Sequence, residues 1–133
     1  MKFDKIEPPR RFTVGRGTKF EVKDCAHIRL SANEQVTFTT ESGGEYDVAR
    51  KEWGFYATPS LNGRLKNFGL RAVLIKNEWS KKFYVVLVEQ GKEAEFQAYL
   101  KTHDYWIVSW MDNDDELERI AQKLAPPVRR TSK

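Results

Sequence analysis

An α+β fold is what three features of this 133-residue sequence predict. The first half carries short runs that alternate apolar and polar residues, separated by Gly-rich and polar breaks, as antiparallel strands with one wet face do. The second half carries two runs, LRAVLIK and KFYVVLVE, that are apolar on both faces. Two further segments place their apolar residues at helical spacing. The expected architecture is a predominantly antiparallel β-sheet of N-terminal strands, followed by a strand-strand-helix-strand-helix unit with the helices packed on the sheet. The length suits a single domain, 1–133, with residues 1–11 and 126–133 expected as flexible ends.

Taken in order, residues 1–11 are polar and stiffened by Pro8-Pro9, and no regular structure is expected there. Phe12 to Val14 reads as a short strand stopped by Gly15-Arg16-Gly17. Lys19 to Lys23 and Ala26 to Leu30 alternate. Ala26, Ile28 and Leu30 face one way, and Cys25, His27 and Arg29 the other. Gln35 to Thr40 and Glu45 to Arg50 are strands divided by the Gly43-Gly44 turn, and Trp53 to Thr58 is a strand ended by Pro59. Asn62-Gly63 is a tight-turn pair, because Gly tolerates positive φ and Asn comes close. Leu70 to Lys76 and Lys82 to Glu89 are expected to be central strands covered on both faces, joined by a hairpin loop. Gly91 to His103 is helical, with Phe96, Tyr99, Leu100 and His103 on one stripe. Tyr105 to Trp110 is a strand, with Trp106 and Trp110 on the same side by alternation. Asp112 to Leu124 is a second helix, capped by Asp112 or Asp114, burying Leu117, Ile120, Ala121 and Leu124. Pro126-Pro127 stops it, before a basic tail.

Composition excludes several classes. Cys25 is the only cysteine and can form no internal disulfide, so a cytoplasmic, reducing setting is expected. No apolar run is long enough to span a membrane, and none is expected to meet one. The net charge of +4 permits an anionic partner without demanding one. Its distribution says more. Arg64, Lys66, Arg71, Lys76, Lys81 and Lys82 stand against Glu78 alone, whereas Asp112 to Leu124 holds five acids and two cations. Walker, dinucleotide-glycine, Gly-x-Ser-x-Gly, Cys-x-x-Cys and His-Glu-x-x-His patterns are all absent. No cofactor and no metal is expected.

The stretch from Glu45 to Lys66 is densest in residue types that do more than fill a core. Trp and Tyr offer a flat apolar body with a polar tip, suited to stacking a sugar ring or a base. Arg50, Tyr56, Asn62, Arg64 and Lys66 are therefore the candidate ligand-binding residues. The cations would meet an anion, Tyr56 would stack and Asn62 would hydrogen-bond. Trp53 and Phe55 read equally as core or as site. Glu45 and Asp47 share a strand face and are candidate catalytic carboxylates, the alternative being two solvated side chains. Cys25 and His27 also share a face, as a nucleophile and base or as an incidental pair.

Residues 54–77, GFYATPSLNGRLKNFGLRAVLIKN, resemble a group of small bacterial proteins associated with surface-glycan and nucleotide-sugar gene neighbourhoods. That resemblance implies a sugar or sugar-nucleotide ligand and carries no activity or residue role. The resulting reading is an accessory domain that binds a small anionic or sugar-containing molecule through a basic aromatic cleft. The alternatives are a single-stranded nucleic-acid-binding β-sheet module, a small enzyme using Glu45 and Asp47 or Cys25 and His27, and a homodimer joined through the Trp106/Trp110 strand.

Overall fold

A computed structural model describes residues 1–125. It is α+β, with three antiparallel sheets and three helices in the order β1 (Lys2–Val14), β2 (Phe20–Arg29), β3 (Gln35–Thr39), β4 (Glu45–Lys51), β5 (Gly54–Ala57), α1 (Arg64–Asn67), β6 (Leu70–Asn77), β7 (Phe83–Glu89), α2 (Glu93–His103), β8 (Tyr105–Trp110) and α3 (Asp114–Leu124). The sheets are β1-β2, β3-β4-β5 and β7-β6-β8. The tail expected after Pro126 lies outside the described residues.

The N-terminal lead-in is strand, not irregular chain. β1 pairs with β2 from Lys2–Arg29 to Val14–Phe20, and the ladder is interrupted only between Lys5 and Arg10. Pro8 and Pro9 sit in that gap, where the absence of an N–H removes ladder bonds. The two expected strands of residues 19–30 are one, β2. A lone two-stranded ribbon is marginal in water, and this arm is fastened at both ends. At its tip the Phe20 ring meets His103 at 5.4 Å and Tyr99 at 6.3 Å, both on α2. At its base the Ser31–Glu34 turn joins it to β4: the Asn33 N–H donates to the Arg50 carbonyl and the Arg50 N–H donates to the Glu34 carbonyl. The Ser31 N–H also donates to the Glu34 carboxylate. That bond, with the Met1 ammonium, holds Glu34 below the usual carboxylate range.

β6 is the central strand and supplies the core. Its side chains alternate between two clusters. Val73 and Ile75 pack with Val88 and Leu100 beneath α2, while Leu70 and Ala72 pack with Leu65 of α1 and with Tyr46. Arg71 ties the layers together. Its Nε donates to Asp112 at 2.7 Å and its guanidinium lies 3.9 Å from the Trp110 ring centre. The hydrogen bond to Asp112 raises the Arg71 pKa. Asn77 closes the β6–β7 turn: its Oδ1 accepts from the Trp79 and Ser80 N–H groups while its Nδ2 donates to the His103 carbonyl. Gly44 is closely packed: a Cβ there would lie 3.2 Å from Leu70 and 3.1 Å from Thr40, so those side chains would have to shift to admit one.

Three expectations about the second half are corrected. β7 is an edge strand, not a doubly covered one, and Phe83, Tyr84 and Val85 are exposed. Trp106 and Trp110 lie on opposite faces, because a bulge near Val108 shifts the register. Trp110 pairs with Val73, whereas Trp106 pairs with Lys76. The apolar stripe of α3 is only partly covered: Leu117 and Ile120 are half-buried, whereas Ala121 and Leu124 are exposed. Its cap is Asn113, whose side chain accepts from the Glu116 N–H, leaving Asp112 for Arg71.

Candidate functional site

β4 and β5 form a tight hairpin in which Lys51 faces Gly54 and Arg50 faces Phe55. Only Glu52 and Trp53 lie between the strands, so the Trp53 ring is thrust out at the turn. Gly54 follows at φ 147°, a backbone conformation glycine reaches without a Cβ clash. β5 is a sheet edge, and nothing in the described residues covers this face of it. Trp53 and Phe55 are 71% and 67% exposed, the highest values among the described aromatic side chains. Neither is core.

Both rings line a hollow of about 950 Å³ between this hairpin and the base of the arm. Its opposite wall is the end of β2, with His27 and Arg29, and Arg50 rises from its floor. Arg50 is oriented by donating one guanidinium N–H to the Leu30 carbonyl at 2.9 Å. Asp4 and Glu52 complete the polar lining. Two arginines therefore stand with two carboxylates, so the hollow is polar and aromatic without a net excess of positive charge. This combination can stack a ring and exchange hydrogen bonds with hydroxyls of either donor or acceptor character.

The residues singled out from sequence are divided by the sheet. Register puts Arg50 and Phe55 on one face of β4-β5, and Asp47 and Tyr56 on the other. Tyr56 is exposed, with its ring 6.5 Å from that of Trp53 across the strand edge. Asp47 is buried and accepts from the Thr37 hydroxyl at 2.6 Å and from the Arg64 guanidinium at 3.3 Å. Arg64 also donates to the Thr58 carbonyl and lies over the Phe68 ring. Asp47 and Arg64 thus fasten α1 to the β4 face. Asn62 donates to Asp114 at 2.9 Å, tying the turn to α3. Lys66 is exposed on α1, where its carbonyl accepts from Gln90. These five ligand candidates share no single hollow: Arg50 enters the one described, and Tyr56, Asn62, Arg64 and Lys66 lie outside it.

Glu45 is exposed, and its N–H donates to the Phe68 carbonyl. Its neighbour Asp47 is occupied as described. Cys25 is exposed with its Sγ 3.5 Å from the Lys23 carbonyl, and His27 lies 3.4 Å from Asp24. His27 and Arg29 are site-lining residues that the stretch from Glu45 to Lys66 could not include. The alternation of β2 already set both on one side of that strand, and that was the available signal.

Two other clefts are lined by packed groups. One of about 540 Å³ lies under the arm tip, among Phe20, Tyr84, Tyr99, His103 and Tyr105. Burial raises the Tyr105 pKa there, with Tyr99 and Tyr84 adding to the effect. The other, of about 610 Å³, runs along the β7 edge between Phe38, Tyr46 and Phe96. No group of three or more His, Cys, Asp or Glu residues able to hold a metal ion occurs among the described residues, and none of their helices is long and apolar enough to cross a membrane. The chain matches no family model, no curated protein and no solved structure.

Proposed function

We propose that this chain is a binding domain for a sugar-containing molecule, held in the hollow between the base of the arm and the β4–β5 turn. The observation that carries the reading is the exposure of Trp53 and Phe55 beside Arg29, Arg50, Asp4 and Glu52 in one concavity. An exposed ring stabilises nothing by burial, so its cost in solubility needs another use. A pyranose presents an apolar C–H face to an aromatic ring and a rim of hydroxyls that both donate and accept. The balance of two guanidinium groups and two carboxylates suits such a rim better than a polyphosphate, which the carboxylates would repel. A single acidic substituent on the sugar fits beside Arg29 or Arg50, as planar guanidinium groups bind carboxylate in a fork. The resemblance of residues 54–77 to proteins of surface-glycan gene neighbourhoods supports the same ligand class.

The test is a thermal-shift and calorimetric comparison of neutral oligosaccharides, uronic-acid sugars, nucleotide sugars and the corresponding nucleoside diphosphates. A sugar-bearing ligand at a hundred times its dissociation constant adds about 2.7 kcal/mol to stability. Trp53→Ala is expected to weaken that ligand about tenfold, the equivalent of about 1.4 kcal/mol, without lowering the ligand-free melting temperature. Binding of nucleoside diphosphate as tight as that of the full nucleotide sugar, or unaltered affinity in Trp53→Ala, would refute the assignment.

A further inference from the structure

The arm tip roofs a cleft of about 540 Å³, a volume within the range of small-molecule sites. Its aromatic walls come from four elements: Phe20 from β2, Tyr84 from β7, Tyr99 from α2 and Tyr105 from β8. Tyr99 lies nearly parallel to Tyr105, with 12° between their planes, whereas Tyr84 stands across Tyr105 at 79° and Phe20 across Tyr99 at 67°. A flat ring set among them meets ring faces in one direction and ring edges in another. Those are the two arrangements that aromatic pairs favour.

His103 ends α2 and lines the same cleft. It is 8% exposed, yet its imidazole nitrogens make no hydrogen bond among the described residues, and its neighbours there are rings, Tyr99 at 4.5 Å and Phe20 at 5.4 Å. Among the described residues a sealed side-chain polar atom without a partner occurs only at Thr58, so the imidazole nitrogens are not sealed. The cleft is the space they open to. A buried polar group left without a partner is costly, and a bound molecule would supply one.

Arg16 is the one charged residue of the lining, and it is exposed at the mouth. Its guanidinium lies over the Trp79 ring, 5.6 Å from the centre, and pairs with no carboxylate among the described residues. Glu78, beside Trp79 in the chain, is taken by Lys81 at 3.6 Å. Stacking occupies the face of a guanidinium and leaves its N–H fork free at the edge.

We propose that this cleft binds an aromatic carboxylic acid carrying a ring hydroxyl. The ring lies among Phe20, Tyr84, Tyr99 and Tyr105, the carboxylate meets Arg16 at the mouth, and the hydroxyl exchanges a hydrogen bond with His103 at depth. Aromatic walls also attract organic cations. Here the only charge in the lining is positive and no carboxylate joins it, which turns the preference to an anion. A phosphate ester carries a second charge and would find no second cation. The cleft shares no lining residue with the hollow at Trp53, so the two assignments stand or fall separately.

Calorimetric titration of the full chain with para-hydroxyphenylacetate, phenylacetate, para-hydroxyphenylethanol and benzyltrimethylammonium tests this. The hydroxylated acid is expected to bind tightest. Arg16→Gln should weaken it about tenfold and leave the uncharged alcohol unchanged. Arg16 is exposed in a turn, so this variant does not threaten the fold. His103→Phe keeps a ring against Phe20 and Tyr99 but has no nitrogen. It should bring the hydroxylated acid down to the affinity of phenylacetate and leave phenylacetate itself unaltered. Absence of saturable binding by either acid overturns the proposal. So does equal affinity for the hydroxylated acid and the alcohol, or an equal loss of both in Arg16→Gln. Benzyltrimethylammonium binding tighter than the acids would make the cleft a cation cage and overturn it too.

Discussion

Around α2 the aromatic rings are packed on each other. Phe96 meets Trp110 edge to face at 6.0 Å, and Tyr99 stacks on Tyr105 at 6.1 Å. At the β4–β5 turn, Trp53 and Phe55 stand in water beside arginines. The same residue types serve two purposes in one chain, and the backbone decides which. β6 is central and has a helix on one face, so Phe96, Tyr105 and Trp110 are half-buried there, and Tyr99 at the margin is 40% exposed. β5 is a short edge strand after a two-residue turn, so rings there have no opposing layer. Packed rings report on folding, and bare ones on the proposed recognition. Substitutions can separate the two.

The largest expected effect lies in the enclosed region. Ile75 is 1% exposed between the sheet and α2, and Ile75→Ala should cost about 2–5 kcal/mol in urea unfolding, through lost transfer energy and a residual cavity. Arg71→Ala removes the partner of the half-buried Asp112 and the cation over Trp110. A loss of about 1–3 kcal/mol is expected by the same measurement. Asn113→Ala leaves the Glu116 N–H without its cap and should cost about 1 kcal/mol.

A smaller effect is one of pH. The Ser42 hydroxyl, followed by that of Thr40, holds Glu89 below the usual carboxylate range. A carboxylate depressed in the folded state stabilises above its unfolded pKa and loses that contribution as pH falls through its folded pKa. Melting temperature should therefore decline on the acid side, and Glu89→Gln should flatten the decline by lowering the melting temperature at neutral pH, where the carboxylate contributes, while leaving it close to that of the unaltered protein at low pH. Smallest of all is Trp53→Ala, for which stability should stay within about 0.5 kcal/mol. A Trp53→Ala loss as large as that of Ile75→Ala would erase the distinction between the two regions.

Much of the fold was legible in the sequence because its signals are local. Alternation marked β3, β4 and β8, and the helical spacing of Phe96, Leu100 and His103 marked α2. What escaped depended on partners distant in the chain. Residues 2–11 are strand because β2 lies alongside them, and their own composition carries no such signal. β7 reads as a central strand from its apolar run, yet it lies at an edge with an open face. One bulged residue, Val108, was enough to send Trp106 and Trp110 to opposite sides. The lining of the candidate hollow was legible in part for the same reason. Glu45 to Lys66 was rich enough to single out, and Arg50, Trp53 and Phe55 do line one hollow. The other wall comes from β2, and nothing local to the stretch could say that His27 and Arg29 would face it or that Tyr56 and Arg64 would turn away.

The most direct test of the central claim is amide chemical-shift mapping by NMR during titration with a uronic-acid sugar or nucleotide sugar. The account predicts that the perturbed amides cluster at Arg29, Ser31, Arg50 and Trp53 to Phe55, with the Trp53 indole N–H among the largest shifts. Saturable shifts confined to the cleft under Phe20 and Tyr99, or to the sheet face around Lys76, would contradict it.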